Sequence, residues 1–118
     1  MRNYKNLKIW EQGIELVKQI YVLVEQLPST EKFGLKSQIT RAAVSIPSNI
    51  AEGCSRNSEV EFKRFLEIVM GSLFEVHTQL IIIQELSFIK PEDLISIFEL
   101  LETEGKMING LINTIKNS

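Results

Sequence analysis

The sequence predicts an all-α protein folded as an antiparallel up-down four-helix bundle. Apolar residues recur at spacings of three and four through four separate stretches, and proline, glycine and capping signals punctuate the gaps between them. No run alternates with the period of two that a half-buried strand needs. The 118 residues fit one domain spanning 1–118, long enough to bury a core. Helices are expected at about residues 7–27, 31–53, 59–87 and 91–116, joined by short loops.

In the first helix Trp10, Ile14, Val17, Tyr21 and Val24 keep the helical spacing. A second stripe of Ile9, Leu16, Ile20, Leu23 and Leu27 runs beside it, with Gly13 in the vacant slot. Together they make an apolar arc wider than one neighbouring helix requires. Pro28 stops the helix, because it cannot continue the hydrogen-bond ladder.

Ser29-Thr30-Glu31 is expected to cap the second helix, with a bend at Pro47 and an end at Gly53, where glycine tolerates the left-handed conformation. Ser58 followed by Glu61 has the capping-box spacing that opens the third helix. There Phe62, Leu66, Val69, Leu73, Val76, Leu80 and Ile83 hold the four-three rhythm unbroken, and Met70, Phe74 and Ile81 widen the face. Lys90-Pro91-Glu92-Asp93 starts the fourth helix, with proline and acids in its first turn. Leu94, Phe98, Leu101, Ile108, Ile112 and Ile115 continue the period, with Gly105 in one slot.

Apolar residues make up 44% and charged residues 24%, too apolar a balance for disorder. A formal net charge of −2 supplies no general attraction to phosphate backbones or anionic lipid, so a nucleic-acid contact would need a local patch. Cys54 is the sole cysteine, which suits a reducing cytoplasm. The start, MRNYKNLKIWEQ, turns polar too soon for a signal peptide. The longest apolar runs, Ile20 to Val24 and Leu80 to Ile83, fall well short of a bilayer span, so no membrane partner is expected.

No catalytic, cofactor-binding or metal-binding set emerges. Di-iron bundles need Glu-x-x-His on two helices, and His77 is the only histidine, preceded by Phe74 three residues back. It is expected to be a buried or interface residue hydrogen-bonded to a neighbour. The positions five to seven before His77 are Ser72, Gly71 and Met70, so the arginine of helical ribonuclease motifs is missing. Cys54 has no candidate base close in sequence, and no glycine-rich phosphate loop occurs. The protein is expected to be no enzyme and to need no cofactor.

The second helix carries the one unusual pattern. At ~100° per residue, Gln38, Arg41, Ser45, Asn49, Glu52 and Arg56 fall on one stripe, opposite Leu35, Ile39, Ala42, Ala43, Ile46 and Ile50. Short amides and hydroxyls beside Arg and Glu suit an interface or packing stripe as well as a solvated face. Glu75, in a smaller polar stripe with Ser72 and Gln79, would need a partner if buried, and Arg41 is the candidate.

Phe33-Gly34-Leu35, Gln38, Arg41-Ala42-Ala43, Ser45-Ile46, Asn49-Ile50-Ala51-Glu52-Gly53 and Arg56, in that order, resemble the 23S rRNA intervening-sequence protein family, formerly labelled S23 ribosomal proteins. The likeness extends to Leu7-Lys8-Ile9-Trp10, Phe62, Phe65-Leu66, Gly71-Ser72-Leu73 with Glu75, and Met107-Ile108 with Gly110-Leu111-Ile112. It implies a bacterial four-helix bundle that assembles into a ring-like homopentamer, with no established reaction. The related accessory variability protein of diversity-generating retroelements forms basic pentamers that engage a reverse transcriptase and nucleic acid. This chain departs from it in its acidic balance, with only Lys63-Arg64 adjacent among its basic residues. A ring of identical subunits would also cover the second apolar faces of the first and third helices.

The expected function is a non-enzymatic oligomeric scaffold, associated with RNA or with an RNA-handling protein. The alternatives are a small-molecule or metal-dependent enzyme, and a passenger of mobile genetic insertions that binds no nucleic acid.

Overall fold

A computed structural model describes residues 2–118. Four helices follow one another: α1 (Lys8–Leu23), α2 (Leu35–Cys54), α3 (Glu59–Glu85) and α4 (Ile95–Lys116). There is no strand among the described residues. Each helix packs against the next, and α4 closes the ring of contacts on α1, giving an antiparallel bundle about 45 Å long. The α2–α3 and α1–α2 seams are the most intimate, and α4 is held more loosely.

Local chemistry sets the boundaries. A short 3-10 turn, Tyr4–Asn6, leads into α1, with Asn3 Oδ1 accepting from the Lys5 amide at 3.2 Å. The α-helical part of the first segment stops at Leu23, and Val24–Gln26 tightens into a 3-10 turn before Pro28. Ser29–Glu31 forms its own turn instead of opening α2 directly. Glu31 still caps α2, since its Oε1 accepts from the Leu35 amide at 3.2 Å. The second helix runs unbroken through Pro47.

Ser58 is the N-cap of α3: its Oγ accepts from the Glu61 amide at 3.1 Å and its hydroxyl donates to Glu61 Oε2 at 3.1 Å. That helix ends at Glu85, two residues earlier than expected, and Ser87 turns the chain with φ at 59°. Pro91–Asp93 forms a 3-10 turn, so α4 begins at Ile95 and not at Pro91.

The core draws unequally on the two α1 stripes. Ile9, Gly13, Leu16 and Ile20 are the buried face of α1. Trp10 and Val17 are only half-buried, and Ile14 and Tyr21 are exposed. Gly13 lies inside because α2 comes close: a Cβ there would stand 3.3 Å from Pro47 Cβ. Gly53 also departs from expectation. No glycine has a positive φ, and Gly53 sits within α2, where a Cβ would meet Phe65 Cβ at 2.8 Å. Close helix approach is therefore the reason for glycine at this position.

The third helix behaves as read: Phe62, Leu66, Val69, Leu73, Val76, Leu80 and Ile83 are all buried. Uninterrupted runs understate this helix. By length and composition α3 could cross a membrane, with an 18-residue window of mean hydropathy 1.5. In this fold its apolar stripe forms the centre of the bundle.

Candidate functional site

The polar stripe of α2 divides along its length. Gln38 and Arg41 are exposed near the start. Ser45, half-buried, donates to Ala42 O at 2.6 Å, and its Oγ lies 2.6 Å from Ser72 Oγ in a hydrogen bond that ties α2 to α3. Asn49 Nδ2 donates to Ser45 O at 2.8 Å, so its amide serves its own helix. Further along, exposed Glu52 and Arg56 approach within 3.8 Å, and the Arg56 guanidinium stacks 5.0 Å over the Phe65 ring.

Glu75 is exposed on α3 and accepts from Gln79 Nε2 at 3.4 Å. It forms no ion pair with Arg41 among the described residues. The expected pairing fails because Glu75 is solvated and has no charge to compensate inside the fold. Of the stripe, only Ser45 bonds by its side chain to a neighbouring helix.

His77 is exposed, contrary to a buried role. Its ring meets Phe98 edge-on at 5.3 Å, at the mouth of a groove of about 860 Å³ between α3 and α4. Met70, Phe74, Ile95 and Phe98 give the groove apolar walls, and Gly105 leaves it open on α4. Glu102 and Lys106 pair at 3.1 Å on its rim. No group of three or more His, Cys, Asp or Glu side chains able to hold a metal ion occurs among the described residues.

Two further clusters went unread in the sequence. Arg2 forms a two-pronged contact with Glu59 (2.6 and 2.7 Å), lies 4.4 Å over the Phe62 ring, and donates its amide to Cys54 O at 3.0 Å. It straps the N-terminal segment across the α2–α3 junction. The buried Cys54 thiol beside it is pushed up from 9.0 by desolvation, which the Arg2 charge partly offsets.

The second cluster centres on Glu104, which is wholly buried in α4 with both carboxylate oxygens unpartnered. Burial drives its carboxyl from 4.5 to about 8, because nothing solvates the charged form. A signal was present. The inward face of α4 is Ile97, Leu101, Glu104, Ile108 and Ile112, which continues the helical spacing as well as Gly105 does. Positions 104 and 105 fit the helical period equally well, so the period alone does not single out the carboxyl.

The comparisons agree with this architecture. The family model for the 23S rRNA-intervening sequence protein matches residues 5–110. The fold is similar to the crystal structure of a protein of unknown function from the S23 ribosomal protein family of Bacteroides thetaiotaomicron. That likeness has a TM-score of 0.81 at 24% identity and covers 88% of this chain and 97% of the other. No curated protein matches the chain. With the family model spanning nearly all of a four-helix chain, this protein belongs to the 23S rRNA-intervening sequence protein family.

Proposed function

We propose that the protein is a non-enzymatic scaffold that works as a ring-like homo-oligomer, a pentamer, in the bacterial cytoplasm. The observation that carries this reading is the apolar surface left uncovered on a single subunit. Tyr21 and Val22 on α1 are 51% and 71% exposed, and Ile68 and Phe74 on α3 are 47% and 68% exposed. Large side chains at such exposure on two helices are more than the scattered apolar residues of an ordinary surface. Head-to-tail contact between unlike faces closes into a ring when the rotation per subunit permits it.

Support for a scaffold over an enzyme comes from the α2 stripe, whose side chains serve backbone carbonyls and the Ser45–Ser72 tie. Native mass spectrometry at micromolar concentration tests the assembly. A five-subunit species is expected, and it should give way to smaller forms in Phe74→Glu. A monomer alone across that range would overturn the reading.

Association with RNA, or with an RNA-handling protein, is the partner reading. It rests on the family rather than on charge, since the chain carries −2 overall. A salt-sensitive gel shift of structured RNA would support direct binding, and no shift at low salt would leave a protein-only adaptor.

A further inference from the structure

Glu104 is the one buried carboxyl among the described residues. Gln79 and Glu104 are the buried polar or charged residues among those described. The Ser96 hydroxyl approaches Gln19 Oε1 to 3.5 Å, which marks the register of α4 against α1. Seven residues back along α1 and eight onward along α4, each step rising ~1.5 Å, reach Gln12 and Glu104 at one height. Gln12 Oε1 is also buried without a partner. Three acceptor oxygens are thus enclosed at one level of the bundle, where a protonated Glu104 brings a donor, as the Gln12 amide would on turning over, and neither supplies a positive charge for a carboxylate.

Neighbouring charges do not offset this. On α1 the groups at this height are Lys8, Glu11 and Glu15, none of them buried, and Glu15 is within 3.7 Å of Lys18. On α3, Lys63 and Glu67 pair with each other at 3.5 Å, while Glu75 and His77 are exposed. On α2, Arg41, Glu52 and Arg56 are exposed. On α4 itself Glu99 is exposed and Glu102 pairs with Lys106. Gln79 lies about two turns away, because its neighbour His77 faces Phe98.

The helix carrying this carboxyl is also the one least firmly packed. At Gly105, next to Glu104, a Cβ would meet nothing within 4 Å, and the groove between α3 and α4 begins there. We propose that Glu104 makes α4 a pH-responsive helix: on losing its proton to water, the carboxylate draws α4 out of the bundle while α1, α2 and α3 stay packed. The groove widens as α4 leaves. The operating window runs between the ordinary carboxyl value of 4.5 and the buried one of about 8.

Hydrogen exchange of the full chain, read peptide by peptide by mass spectrometry from pH 5 to 9 and divided by the intrinsic rate at each pH, tests this. The opening constant of residues 95–116 should rise about tenfold per pH unit up to about pH 8 and then level off. It should be independent of pH in both Glu104→Gln and Glu104→Met, and in wild type α4 should open more readily than α2 and α3 at every pH, since their amides exchange only when the whole fold opens. If one variant does not fold, the other and the wild-type profile decide. A flat wild-type profile, an unchanged slope in either folded variant, or opening constants as large in α2 and α3 as in α4 would overturn the proposal.

Discussion

Gly13 and Pro47 face each other across the α1–α2 seam, so close that a Cβ on the glycine would stand 3.3 Å from Pro47 Cβ and 3.4 Å from its Cα. Both residues weaken helices in isolation, one by its backbone entropy and the other by its missing amide. Here they supply the clearance that lets two helix backbones approach.

Replacing Gly13 by Ala therefore sets a propensity gain of ~1 kcal/mol against contact with a rigid ring, and the two should nearly cancel. Gly13→Leu has no such offset. Its overpacking should cost about 2–3 kcal/mol in urea melts, with the slope unchanged. A Leu variant as stable as wild type would mean that α1 and α2 can part at this seam without loss.

Gly53 is the stricter case. An added Cβ would meet Phe65 Cβ at 2.8 Å and Phe62 Cδ1 at 3.2 Å, and the first of these is anchored to the α3 backbone. Gly53→Ala should lower stability by about 2–3 kcal/mol despite its better helix propensity. Gly110→Ala, where nothing lies within 4 Å, should raise it by ~0.5–1 kcal/mol. Thermal melts giving both substitutions the same sign would contradict the steric account.

Legibility in the sequence followed the physics of each element. The third helix was readable to within two residues because its apolar period is single, and burial follows the period. The first helix carries two stripes of the same period. Only the arrangement of the other helices selects Ile9, Leu16 and Ile20 for the interior over Trp10, Ile14 and Tyr21. Gly53 suggested a helix end because close approach of Phe65, distant in sequence, leaves no local trace. The same limit hid Glu104, whose slot competed with that of Gly105.

The polar stripe yields a contrast between two pairs. Ser45 and Ser72 share a 2.6 Å hydrogen bond across half-buried helices, so a double-mutant cycle to Ala should show coupling of ~0.5–1.5 kcal/mol. Arg41 and Glu75 are exposed and unpaired with each other, and their cycle should give coupling within ~0.3 kcal/mol of zero. Equal coupling in the two cycles would show that the stripe acts as one network.

Glu104 makes the stability of the whole fold depend on pH in an unusual direction. Its carboxyl stays protonated in the native state up to about 8, whereas in the unfolded chain it ionises above 4.5. Between those values unfolding releases a proton, so the contribution of this group to stability is fully present below 4.5 and falls as pH rises, levelling off beyond about 8. The slope is ~1.4 kcal/mol per unit, a loss of roughly 3 kcal/mol from pH 5 to 7. Cys54, raised above 9.0, titrates outside this window. Glu104→Leu removes the orphaned oxygens and should gain roughly 3 kcal/mol at pH 7 while leaving stability nearly flat from pH 5 to 8. Urea midpoints measured across that range for both chains check the sign. A wild-type midpoint that does not fall with rising pH would show that water reaches Glu104 in the folded protein.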